Sequence, residues 1–247
     1  MTMAKKTLRR AMVLAAGLGK RMRPLTDTMP KPMVPVNGVP LIGHIMDRLV
    51  DANVSRAIVN LHYLGEQIQN YLSGEKRLEI VFSDEVDLLE TGGGVKNAMP
   101  ILGTDPFYVI NSDAFWLDGY ENALLRLARE WQNDLMDALL MLQSTVYAYG
   151  YQGLGDFDAD ADGKIERRAE GAVTPWLFSG IQILHPRAFA NTPDGAFSLN
   201  VVYDQVCEAE RLYGMIHDGE WFHIGTPDSI ADVEDFLNQP FAGEEKR

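Results

Sequence analysis

Short aliphatic runs alternate with longer amphipathic segments over the first 145 residues. The runs 11–16 (AMVLAA), 56–62 (RAIVNLH), 77–83 (RLEIVFS), 107–112 (FYVINS) and 138–144 (ALLMLQS) are rich in aliphatic and β-branched residues and predict strands. Between them, 40–53 (PLIGHIMDRLVDAN), 64–73 (LGEQIQNYLS), 92–102 (GGGVKNAMPIL) and 119–132 (GYENALLRLAREWQ) predict helices. In the first of these, Pro40 suits an opening turn, and Leu41, Ile45, Arg48, Leu49 and Ala52 keep helical spacing. Strand, helix, strand repeated in this way predicts an α/β fold with a doubly wound, mostly parallel sheet.

The pattern changes after residue 145. Residues 155–168 (GDFDADADGKIERR) predict a hairpin turning at Asp162-Gly163, and 174–184 (TPWLFSGIQIL) a further strand. Helices are expected at about 199–211 and 227–237, with short strands at 213–218 and 221–225. This half predicts a smaller α+β lobe lying against one side of the sheet. No Pro- or Ser-rich linker interrupts the chain, so residues 1–241 are expected to form one domain with halves 10–145 and 146–241, followed by a polar tail at 242–247.

Composition narrows the partners. With 35 acidic against 22 basic residues the net charge is −13, which repels phosphate backbones and acidic membrane surfaces and argues against nucleic acid. Cys207 is the single cysteine, so no intramolecular disulfide or thiolate zinc cluster is expected, in keeping with a cytoplasmic protein. The N-terminus imitates a secretory signal, but its apolar stretch is shorter than the roughly 7 to 15 residues such a signal needs. No run approaches the roughly 18 apolar residues of a membrane span.

Against this acidic background, residues 14–34 (LAAGLGKRMRPLTDTMPKPMV) gather Lys20, Arg21, Arg23 and Lys31. A dinucleotide fingerprint would need a third glycine where Met22 stands, and a P-loop would need a glycine at Leu14 and a hydroxyl at Arg21. What remains is a strand ending at Gly17-Leu18-Gly19, whose small residues let backbone N–H groups approach an anion, flanked by cations and stiffened by Pro24, Pro30 and Pro32. Composition alone leaves a solvated basic turn as the alternative.

The stretch LAAGLGKRMRPLT followed by PKPMV resembles the signature of the sugar-1-phosphate nucleotidylyltransferases. ETGGGVKNAMPIL, YVINSDAFW, SGIQILHPRAF and WFHIGTPDSI are similar to further segments of that family, in the same order, so the resemblance spans about residues 10 to 235. It implies a Rossmann-like nucleotide-diphospho-sugar transferase fold and a reaction joining a nucleoside triphosphate to a sugar 1-phosphate with release of pyrophosphate. It implies main-chain nucleotide contacts at Ala16, Gly17 and Gly19, with Lys20 and Gly92 beside them. Arg21 is expected on the β- and γ-phosphates, Lys31 between the α-phosphate and the sugar phosphate, and Asp113 on magnesium. Asn111, Gly153, Gly155 and Gly180 are expected on the sugar side, near Glu166. Arg23 is as well placed for a surface ion pair as for a ligand.

One departure concerns the metal. The family pattern W-x-D-x-G-T carries a second metal-ligating aspartate, where this chain has His223 in WFHIGT. Imidazole suits manganese, cobalt or zinc better than magnesium. Three outcomes stay open: His223 ligates a softer metal, a carboxylate such as Asp204 or Asp218 substitutes, or water fills the position. In its length and its ETGGG and NSD segments the chain resembles those members of the family that act in cell-wall recycling, and the resemblance implies UTP with N-acetylmuramate 1-phosphate as substrates. GTP with mannose 1-phosphate and a nonenzymatic nucleotide-binding regulator are the alternatives, and the chain is expected to be a monomer or small homo-oligomer.

Overall fold

A computed structural model describes residues 8–239, so the expected polar tail at 242–247 lies outside the described residues. The first half comprises β1 (Arg10–Leu14), a small hairpin of β2 (Pro35–Val36) and β3 (Val39–Pro40), α1 (Leu41–Asp51), β4 (Arg56–Leu61), α2 (Gly65–Leu72), β5 (Glu79–Asp84), α3 (Glu90–Leu102), β6 (Phe107–Asn111), β7 (Ala114–Leu117), α4 (Ala123–Glu130) and β8 (Ala138–Ser144). The second half adds β9 (Ala148–Tyr149), β10 (Phe157–Ala159), β11 (Ile165–Arg167), β12 (Trp176–Leu184), α5 (Asn200–Glu208), β13 (Leu212–Ile216), β14 (Glu220–His223) and α6 (Asp228–Asn238).

Strands β5, β4, β1 and β6 lie side by side in that order, all parallel. Their side chains alternate between two cores. Ala11, Val13, Ala57, Val59, Tyr108 and Ile110 pack with residues of α1, α2 and α4, whereas Met12, Ile58, Phe107 and Val109 pack with residues of α3 and α5. Burial on both faces explains why these strands read as continuous apolar runs. Each fully buried aliphatic side chain here contributes about 1.5 to 3 kcal/mol over exposure.

The structure corrects the expected placement of the second half. Strand β12 inserts between β6 and β8 and runs antiparallel to both, so that Ile183 faces Tyr108 on one edge and Leu139 on the other. Strand β13 then pairs parallel with β8, and the β10–β11 hairpin joins the start of β12. Among the described residues nine strands thus form one sheet, completed by the second half instead of flanked by it. Burial accompanies this placement: Leu177, Ile181 and Ile183 enter one core and Leu184 the other. A second, three-stranded sheet of β7, β14 and β9 stands beside this one, with Phe115, Phe222 and Ile224 packed against Val233 of α6. Among the described residues no helix is long and apolar enough to cross a membrane.

The entry to β8 is clasped by ions. Asp137, with its side chain 13% exposed, accepts through Oδ1 from Arg211 Nε at 2.8 Å and from Arg187 Nε. Its backbone carbonyl accepts from His185 N and its own N–H donates to Arg211 O, so the exit of β12 and the entry of β13 meet at one carboxylate. Asp137→Ala should lower the unfolding free energy by about 2 to 3 kcal/mol, less than for a fully buried pair because both guanidiniums keep some solvent contact. The urea midpoint should fall at constant slope, and Arg211→Ala, which leaves Arg187 on the carboxylate, should cost less.

Candidate functional site

The parallel strands end at one edge of the sheet, and β4 and β6 depart from opposite sides of β1, which opens a crevice above its end. A cleft of about 430 Å³ lies there. Its walls include Ala16, Gly17 and Gly19 of the first loop, Lys31, Asn60 at the end of β4, Asn111 to Asp113 at the end of β6, and Glu90 and Thr91 at the start of α3. Six of the residues singled out in the sequence, Ala16, Gly17, Gly19, Lys31, Asn111 and Asp113, therefore line one cavity. The backbone draws the two strand ends together, since Ser112 N donates to Leu14 O at 3.1 Å.

The cations of the first loop divide by role. Lys31 Nζ donates to Asp113 Oδ2 at 2.5 Å, and its side chain is only 12% exposed. Arg23 pairs with Asp27 at 3.1 Å on the surface. Lys20 and Arg21 sit exposed on a 3-10 turn pinned by buried Met22, and among the described residues neither has an ion-pair partner. Thr26 Oγ1 donates to Gly19 O and Tyr63 Oη to Thr26 O, each at 2.8 Å, so the loop is held by neutral bonds that leave Arg21 available.

His223 does not line the cleft but comes near Asp113 through strand pairing, and the charges of Arg21, Lys31 and Asp113 all act on it. Strand β7 begins directly after Asp113, and β14 runs antiparallel to it with His223 opposite Ala114. The imidazole lies 6.0 Å from the Trp221 ring and 6.3 Å from that of Tyr151. Burial lowers its pKa from the ordinary 6.5, the charges of Arg21 and then Lys31 lower it further, and Asp113 opposes them. The ring is thus held neutral at neutral pH, the form that can ligate a metal or accept a hydrogen bond.

The donor set fits a divalent metal whose shell is completed by substrate. Among the described residues no group of three or more His, Cys, Asp or Glu side chains could hold a metal. Asp113 and His223 can supply at most two ligands, the arrangement of a cation that takes its remaining oxygens from phosphates and water. Asp204 pairs with Arg167 at 2.7 Å and Asp218 with Arg126 at 3.1 Å, and neither lines the cleft, so neither carboxylate stands in for the missing aspartate.

The glycines divide as well. Gly180 (φ +84°) lies beside Asn111 across the β12–β6 pairing, where a Cβ would come within 3.0 Å of Asn111 Nδ2. Both therefore stand at the carboxyl end of β6. Gly153 and Gly155 do not line the cleft; they pack against Tyr151 and Thr174, and Tyr151 relays that packing to His223. Glu166 on β11 lines a separate groove with Cys207. Gly92 is also off the cleft wall: its N–H and that of Gly93 donate to Phe197 O at 2.8 and 3.1 Å. The sequence singled out none of Asn60, Glu85, Tyr151 or Ser198. Asn60 alone carried a signal, a buried amide inside an apolar run.

In the native state His223 binds fewer protons than in the unfolded chain between its depressed pKa and 6.5, so its contribution makes stability rise with pH across that window and level off above it. An NMR titration of the imidazole should show a midpoint below 6.5. Arg21→Ala should move that midpoint upward, and an unchanged midpoint would mean that the guanidinium does not face the ring.

Comparison with known proteins agrees with this geometry. A family model described as Nucleotidyl transferase matches residues 10–240. The N-acetylmuramate alpha-1-phosphate uridylyltransferase of Caulobacter vibrioides is 41% identical over 229 residues, covering 91% of this chain and 95% of that protein. Its namesake from Neisseria meningitidis is 34% identical over 221 residues, covering 88% and 93%. More distantly, the catalytic subunit beta of mannose-1-phosphate guanylyltransferase from Drosophila melanogaster is 29% identical over 226 residues, covering 88% of this chain and 60% of that one. Among solved structures, a UDP-glucose pyrophosphorylase complexed with UDP-glucose superposes with a TM-score of 0.77 at 16% identity, covering 94% and 98%. HddC from Yersinia pseudotuberculosis complexed with GMP-PN does so with 0.73 at 23%, covering 93% and 100%. With the family model matching nearly the whole chain, residues 10–240, the chain belongs to the nucleotidyl transferase family.

Proposed function

We propose that this protein couples UTP to N-acetylmuramate 1-phosphate, giving UDP-N-acetylmuramate and pyrophosphate. The observation that carries the proposal is the meeting of Lys31, Asp113 and the Ala16–Gly19 backbone in one cleft, in a chain whose near full-length relatives at 41% and 34% identity bear the name of that reaction.

The nucleophile, a sugar phosphate oxygen, is already an anion when it attacks the α-phosphorus, and the bond to the bridging oxygen of pyrophosphate breaks. Acid–base chemistry is secondary to alignment and charge neutralisation. Main-chain groups of Ala16, Gly17 and Gly19 hold base, ribose or phosphate. Arg21, exposed and without an ion-pair partner among the described residues, takes the β- and γ-phosphates as they depart. Lys31 neutralises the α-phosphate and incoming sugar phosphate, and in doing so exchanges its hold on Asp113 for substrate. Asn111 and Gly180 border the sugar, while Gly92, Gly153 and Gly155 act through packing and Lys20 through charge at the rim. A divalent metal bound at Asp113, with His223 beside it, supplies further neutralisation of phosphate charge; His223 favours manganese or cobalt over magnesium there. The halves 10–145 and 146–241 serve nucleotide and sugar respectively. The protein works in the cytoplasm as a monomer or small homo-oligomer, without nucleic acid or membrane.

A matrix of four nucleoside triphosphates against hexose and amino-sugar 1-phosphates, read as pyrophosphate release, should peak at UTP with N-acetylmuramate 1-phosphate. A peak at GTP with mannose 1-phosphate would replace the substrate assignment, and no release with any pair would leave a nucleotide binder. Lys31→Met should lower kcat/KM about a thousandfold, the order expected for losing a cation aimed at developing phosphate charge. His223→Asp should shift the metal preference from manganese toward magnesium, and an unchanged preference would remove His223 from the metal.

A further inference from the structure

A buried carboxylate lies behind the cleft and takes no part in the chemistry just described. Glu85, 6% exposed, stands against Asn60, 2% exposed, and among the described residues Glu85 has no ion-pair partner. Burying a carboxylate is costly unless its oxygens find donors. Both oxygens do: Oε1 accepts from Asn60 Nδ2 at 2.6 Å and Oε2 from Leu89 N at 3.0 Å. Asn60 completes the chain by accepting through Oδ1 from Ala15 N at 2.7 Å. Both ends of this chain are backbone N–H groups, which can only donate, so the direction of every bond in it is forced. The Asn60 amide cannot turn over without setting donor against donor.

The two groups held in this way are the roots of the two cleft walls. Ala15 leads into Ala16 and Gly17, and Leu89 leads into Glu90 and Thr91, all four of which line the cavity. Glu90 adopts a left-handed φ of +58°, a conformation a non-glycine residue keeps only where its surroundings dictate it. Glu85 is itself fastened to the end of β4, since its N–H donates to Leu61 O at 2.8 Å and its carbonyl meets His62 Nδ1 at 3.0 Å. The last glycine of the ETGGG run makes room for the pair: a Cβ on Gly94 would stand 2.7 Å from Glu85 Oε1 and 2.8 Å from Asn60 Nδ2.

We infer that Asn60 and Glu85 form a positioning unit that sets the spacing between the Ala15–Gly17 turn and the entry to α3, and so fixes the cleft for its nucleotide. The inference rests on the cleft being the nucleotide site. Neither side chain is a catalytic residue. Asn60 also borders the cleft, whereas Glu85 does not, so the effect of Glu85 passes through the main chain of Leu89 and, by way of Asn60, of Ala15, and it appears in nucleotide affinity before it appears in turnover.

An isosteric exchange tests the pair. Glu85→Gln presents an amide donor either to the Asn60 amide or to Leu89 N–H, so one donor loses its acceptor whichever way the new side chain turns. Asn60→Asp sets two carboxylates face to face. The double variant N60D/E85Q restores every bond with donor and acceptor exchanged, at unchanged net charge: the introduced amide donates to the introduced carboxylate and accepts from Leu89 N, and the carboxylate accepts from Ala15 N. Binding of UTP with manganese, measured by calorimetry, should weaken at least tenfold in each single variant and return to within about threefold of the parent in the double. In Glu85→Gln, whose side chain lies outside the cleft wall, kcat at saturating nucleotide should change by less than about threefold. Amide hydrogen exchange at Ala15 and Leu89 should quicken in the single variants and recover in the double. Singles that bind within twofold of the parent, or a double variant no better than the singles, including one that does not fold, would overturn the inference. A parent that binds no nucleotide would instead defeat the assignment of the cleft, and exchange at Ala15 and Leu89 would still judge the pair.

Discussion

Lys31 and Asp113, 82 residues apart in the chain and 2.5 Å apart in space, form the contact about which the cleft is built. One belongs to the loop that leaves β1, the other to the end of β6, and the parallel pairing of those strands brings them to the same edge. The contact ties the loop after β1 to the end of β6. Much of the remaining fold exists to hold that edge in place: two cores grip the sheet from its two faces, and β12 closes its side against β6.

Charge is arranged at two scales. The chain as a whole carries −13, which lowers its affinity for polyanions at large. Lys20 and Arg21 are exposed on the turn that follows Gly19, and Lys31 lines the cleft, so positive charge gathers along this loop. His223 registers this local field: the two nearer cations depress its pKa against the pull of Asp113, and burial depresses it further.

Much of the site could be read from residue order. The Gly17-Leu18-Gly19 turn, Asn111 and Asp113 lie at strand ends that periodicity located to within two residues, whereas Lys31 lies on the long loop after β1 and was singled out, like Asn111 and Asp113, by the resemblance to a known family. The glycines were harder. ETGGG resembles a nucleotide-contacting segment, yet Gly92 and Gly93 are small so that the segment around Phe197 can dock, and Gly94 so that Asn60 and Glu85 can meet. Those partners are remote in sequence, and no local pattern announces them. Asp204 and Asp218 were plausible metal ligands by composition and became ion-pair partners of Arg167 and Arg126 by geometry.

The sequence by itself determined the alternation of strand and helix and the two-faced burial of the first four parallel strands, because period and apolar content are local properties. Only the tertiary structure decided that β12 enters the sheet between β6 and β8, that His223 stands beside Asp113 through its pairing with β7, and that Glu85 is buried behind the cleft. Strand pairing and burial are properties of surfaces that meet after the chain has folded, and a residue's partner across a sheet is written in no stretch of sequence shorter than the whole.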